Sequence, residues 1–89
     1  MHAEVENLLR SAKTEVELQN ILHTLCEPCG TVMRTDVMAG ADAPSRLMCV
    51  VQMADRPAAD RVADRFGTDA FGNRLVVFKY DAPSDFAHP

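Results

Sequence analysis

The 89-residue sequence predicts an α+β sandwich (βαββαβ), a four-stranded antiparallel sheet with two helices packed on one face. Three observations carry that expectation. The closing run Phe71-Gly72-Asn73-Arg74-Leu75-Val76-Val77-Phe78-Lys79-Tyr80 sets a glycine-bearing turn before an apolar strand, in which Leu75 and Val77 point one way and Val76, Phe78 and Tyr80 the other. Thr14-Glu15-Val16-Glu17 is a capping-box signature, a threonine N-cap with glutamate three residues on, just before an apolar run. Between these two features the hydrophobic period passes from helix to strand, strand and helix again, and so short a chain sustains one core.

Each element follows in order. Over residues 1–13, Val5, Leu8, Leu9 and Ala12 fit a helix, while Ala3-Glu4-Val5-Glu6-Asn7-Leu8 fits a short strand. A strand is expected, because the later elements complete a split βαβ sheet only if one precedes them. From Thr14, residues Val16, Leu18, Ile21, Leu22 and Leu25 recur at helical spacing until Pro28 and Gly30 stop the helix. Thr31 to Met38 alternates as a strand, residues 39–46 with Gly40, Asp42, Pro44 and Ser45 read as a loop, and Leu47 to Met53 is a second strand. Asp55 caps a second helix with Pro57 in its first turn; Ala59, Val62, Ala63 and Phe66 form its buried side and Gly67 its end. The last strand starts near Leu75. The domain is expected over residues 3–80, with 81–89, holding Pro83 and Pro89, as a tail.

Charge narrows the partners. The net charge is 9 − 13 = −4, and residues 1–27 hold Glu4, Glu6, Glu15, Glu17 and Glu27 against Arg10 and Lys13. Nucleic-acid affinity comes largely from cations on phosphates, so a basic peptide suits this chain better than RNA or DNA. No apolar run reaches membrane-helix length, and three cysteines cannot close a disulfide framework; a soluble intracellular protein with free thiols is expected.

Leu18-x-x-Ile21-Leu22, Gly30-Thr31-Val32, Arg46-Leu47-Met48-Cys49-Val50-Val51-Gln52-Met53 and Phe71-Gly72-Asn73-Arg74-Leu75-x-Val77 together resemble an RNA recognition motif (RRM), with its ferredoxin-like sandwich, over roughly residues 3–80. Members stack bases on aromatics of the two central strands. Here Met48 and Val50 stand at the stacking positions of strand three and Glu4 at that of strand one, leaving no π-platform.

The run Phe71-x-Asn73-Arg74-x-Val76-Val77-x-Lys79-Tyr80-x-x-Pro83 and the acidic first helix are more closely similar to the U2 auxiliary factor homology motif (UHM), an RRM subclass that binds protein. The resemblance implies a nuclear interaction module of pre-mRNA splicing that holds a tryptophan from a basic ligand segment of a partner splicing factor between its helices and the 68–72 loop. It implies that Phe71 receives the indole and that Glu15, Glu17 and Glu27 meet the ligand's cations. Asp69 stands where the subclass has arginine. Two alternatives remain at this stage. One is a single-stranded RNA binder using Phe78, Lys79, Tyr80, Met48 and Val50. The other is a dimerising or structural domain whose sheet face, with Met48, Val50, Val76 and Phe78, is covered by a partner or by the tail through Phe86.

His23-x-x-Cys26-x-x-Cys29, with Cys49 as a fourth donor, has ligand-like spacing. The resemblance puts Cys49 on the core side of its strand and Cys29 at a core junction, so no zinc is expected. Cys26-Glu27-Pro28-Cys29 closes a helix, whereas redox Cys-x-x-Cys pairs open one. Without a phosphate loop, a nucleophile–base pair or paired carboxylates, neither a cofactor nor an enzyme is expected.

Overall fold

The computed structural model describes residues 1–40 and 45–87, so residues 41–44 of the expected loop and Pro89 of the expected tail lie outside the described residues. Helices α1 (Ala3–Arg10) and α2 (Glu15–Cys26) come first, followed by a 3-10 turn (Glu27–Cys29) and strands β1 (Val32–Ala39) and β2 (Arg46–Met53). Helix α3 (Arg56–Phe66) then leads to β3 (Asp69–Phe71) and β4 (Leu75–Asp81). The fold is α+β with one four-stranded antiparallel sheet, as expected, but it carries three helices and its strands lie in the order β1-β2-β4-β3.

The difference begins at the N-terminus. Residues 3–10 are helical, where a strand was expected, because Val5 and Leu9, four residues apart, put two buried side chains on one helical face, with Ala12 buried just beyond its end. Glu4 and Glu6 in its first turn and Arg10 in its last suit the helix dipole. The sheet does not lack a central strand as a result. β4 takes that place, paired antiparallel with β2 on one side and with β3 on the other. β2 and β3 therefore run in the same sense with β4 between them, and β2-α3-β3 is the split βαβ unit, compatible with a ferredoxin-like sheet whose central strand comes last in the chain.

Helix α2 starts as its sequence dictates: Thr14 Oγ1 accepts from the Glu17 amide at 3.2 Å and Glu17 Oε2 accepts from the Lys13 amide at 3.0 Å. It buries Leu18, Leu22 and Cys26, one per turn, which leaves Val16, read as part of the stripe, 66% exposed on the solvent side. Gly30 follows the 3-10 turn where α3 approaches closely; a Cβ there would lie 2.5 Å from Ala58 Cβ. Asp55 Oδ1 accepts from the Ala58 amide at 2.9 Å to cap α3, which ends at Gly67 in the left-handed conformation, φ 66°.

The helices cover one face of the sheet. Leu47, Cys49, Val51 and Met53 of β2 and Val76, Phe78 and Tyr80 of β4 point into the core, where Phe78 lies 6.3 Å from Phe66 between ring centroids. Residues 82–87 return to the helices: Ala87 pairs with Thr14, its amide donates to Lys13 O at 2.7 Å, Lys13 Nζ meets Asp85 at 3.2 Å, and Phe86 is buried. Among the described residues no helix is long and apolar enough to cross a membrane.

Candidate functional site: the open face of the sheet

Strand alternation that sends Val76, Phe78 and Tyr80 inward sends the intervening residues outward, and strand pairing lines these up in rows. Arg34, Gln52, Leu75 and Phe71 form one row across the four strands, Asp36, Val50, Val77 and Asp69 the next, and Met38, Met48 and Lys79 a third. The middle of this face is apolar. Met38 is 43%, Phe71 49% and Leu75 37% exposed, with Met48, Val50 and Val77 half-buried between them. Charges stand at the margins: Arg34 Nε lies 2.9 Å from Asp36 Oδ2, and Arg46 Nη1 3.3 Å from Asp81 Oδ1. Beside Phe71 a shallow cavity of about 340 Å³ is lined by Gln52, Gly72, Asn73, Arg74 and Leu75.

The structure separates the residues of the expected peptide site. Phe71 and Asp69 belong to β3 on the open face, whereas Glu15, Glu17 and Glu27 belong to the helix layer. Glu17 already holds the Lys13 amide, Glu27 Oε2 lies 3.4 Å from His23 Nε2, and Glu15 is near enough to the core for its charge to act on Cys49. The groove on the helix side, about 660 Å³, is lined by His2, Val5, Leu8, Leu25, Arg65 and Phe66, so the phenylalanine there is Phe66, with the Arg65 guanidinium 5.6 Å from its ring centre. Neither Phe71 nor Asp69 reaches that groove.

The RNA-binding alternative is corrected at its aromatics. Phe78 and Tyr80 are core residues, 0% and 1% exposed, and cannot offer a ring to a base; the Tyr80 hydroxyl donates to Leu9 O at 3.4 Å. Burial, with a smaller contribution from Cys49 and against Arg10, pushes the Tyr80 phenol above its ordinary value. Lys79, Met48 and Val50 do lie on the open face, whereas Val76 and Phe78, grouped with Met48 and Val50 in the dimerising alternative, lie on the opposite one. The signal that could have separated them is Lys79: a strand with lysine on the side of Leu75 and Val77 buries its other side. Met38, Leu75 and Val77 were the surface residues missed, and the same parity finds them.

Cys26, Cys29 and Cys49 are free, buried thiols, and among the described residues no three His, Cys, Asp or Glu side chains converge as a metal site. Burial, reinforced by Cys29, pushes the Cys26 thiol up to about 12; burial, reinforced by Glu15, does the same to Cys49. Both are poor nucleophiles at neutral pH.

In comparison with known proteins, no family model matches the chain, and neither the curated proteins nor the solved structures gave a match. The likeness to RRM and UHM sequences therefore stands as a resemblance. The class the geometry defines is a small α+β domain with a one-sided helix layer and an open sheet face, apolar at its centre.

Proposed function

We propose that this domain is a protein-interaction module that docks through the open face of its sheet. The observation that carries the reading is the contiguity of Met38, Met48, Val50, Val77, Leu75 and Phe71 on one plane, since scattered exposed apolar residues are ordinary and a continuous patch is not. RNA fits this face poorly: it offers one ring, Phe71, and its cations Arg34, Arg46, Lys79 and Arg74 are largely offset by Asp36, Asp69 and Asp81.

A tryptophan-bearing basic peptide, the ligand implied by the resemblance, has its support at Phe71, where an indole would stack above the 340 Å³ cavity beside it. The splicing role and nuclear residence belong to that same part of the proposal. The test is an NMR titration of the labelled domain with such a peptide and with oligo-U RNA. The chain has no tryptophan, so the peptide's own fluorescence reports burial in parallel. Amide shifts centred on residues 34–38, 48–52 and 69–79, lost in Phe71→Ala, support the reading; shifts confined to the groove of α1, α2 and α3 would move the site to the helix side and overturn it.

A further inference from the structure

We propose that the occupant of the open face is a second copy of this chain, in a symmetric dimer that packs sheet against sheet; this rests on the assignment of that face as the docking surface. The first argument is charge. The chain carries four excess negative charges, yet the face is close to balanced: Arg34, Arg46 and Lys79 on the strand rows match Asp36, Asp69 and Asp81, with Arg74 added at the Phe71 cavity. Two such faces meet without the net repulsion that the whole chain's charge would otherwise impose.

The second argument is self-complementarity. A two-fold axis running along the strands exchanges the sheet edges and lays β1 of one copy over β3 of the other. Reading the rows across that axis sets the Arg34 guanidinium against the Phe71 ring, Gln52 against Leu75, Val50 against Val77, and Met48 against the aliphatic stem of Lys79. The same superposition brings Asp36 towards Asp69 at the rim, an opposition that Arg34, 2.9 Å from Asp36, offsets. Met38 and Met48 supply flexible thioethers that fill the remaining gaps between two twisted sheets.

The third argument is area. With strands about 4.8 Å apart, residues rising about 3.3 Å and β3 only three residues long, the face covers roughly 380 Å², so two copies bury on the order of 760 Å². That lies below the roughly 1,000 Å² of a specific stable interface and predicts a weak, concentration-dependent dimer.

Sedimentation velocity from about 1 μM to 1 mM tests it. The wild-type mass should rise from 9.8 kDa towards twice that value. Leu75→Glu and Phe71→Glu, both at exposed positions and each introducing two charges into an isologous interface, should weaken association at least about tenfold. Val16→Glu, on the exposed side of α2, should leave it unchanged. A monomer at every concentration would refute the dimer, and if the peptide still shifts the open-face amides the docking surface itself stands. A dimer indifferent to both Leu75→Glu and Phe71→Glu would place association elsewhere and refute this assignment, while the peptide titration alone decides the role of the face.

Discussion

Phe78→Ala is the substitution on which the sheet's orientation is most exposed to test. On the open face that ring would be a ligand platform and its loss would leave the fold intact. In the structure it is fully buried beneath the helices, 6.3 Å from the Phe66 ring. Truncating a buried phenylalanine loses its transfer free energy and leaves a cavity, together about 3–5 kcal/mol. A domain of 89 residues has a total stability of only about 4–13 kcal/mol at the usual per-residue range, so the variant should be crippled. At about 4–8 °C per kcal/mol for this size, the loss in Tm should exceed about 12 °C. Phe71→Ala supplies the contrast: the ring is half-exposed, and its removal should change stability by no more than about 0.5 kcal/mol. Urea denaturation followed by circular dichroism measures both. A Phe78→Ala cost below about 1 kcal/mol, or a larger cost for Phe71→Ala, would show that the strand presents its other side to the core.

Gly30→Ala should cost about 1–3 kcal/mol by overpacking against Ala58, and the double variant with Ala58→Gly should recover part of it; additive losses in the urea midpoint would contradict the close approach. Stability should fall as pH rises from about 9 towards 12, because Cys26 and Cys49 keep their protons in the fold to about 12 while the unfolded chain releases them near 9.0. The unfolded state then binds fewer protons, which makes the slope negative; Cys49→Val should flatten it, and a midpoint constant from pH 8 to 10.5 would refute the burial argument. Single-stranded RNA should bind with a dissociation constant of about 10⁻⁴ M or weaker at physiological salt, read by fluorescence anisotropy on labelled oligo-U, and micromolar affinity would contradict the near-neutral, ring-poor face.

Features legible in the sequence were those with local causes. The Thr14 and Asp55 caps and the Gly67 stop are chemical signals confined to one turn; both helices begin, and the second ends, where those signals say. Strand parity was legible too, down to the grouping of Val76, Phe78 and Tyr80. Over residues 3–8 the sequence satisfies periods of 2 and 3.6 at once, so the local pattern does not separate helix from strand, and the need for a central strand points to the strand. That need is real, but β4 meets it, and no local pattern records which distant strand fills a slot. β3 is three exposed residues long with β4 as its strand partner, and Phe71 follows it onto the open face. The candidate site was therefore only half visible, with Phe71, Asp69, Met48, Val50 and Lys79 named, but attached to the helix side or to rings that lie in the core.

The order of the strands also bears on how the sheet closes. β1 and β2 form a hairpin from neighbouring residues, but β3 has only β4 to pair with, and β2 has only β4 on its inner side. Without residues 75–81 between β2 and β3, β3 has no strand to pair with. The β2 edge, with Leu47, Cys49, Val51 and Met53, is then an unfinished template for any other strand within reach. The sheet closes only when β4 is in place, so a chain cut just before Leu75 would leave the β2 edge unpaired and aggregation-prone.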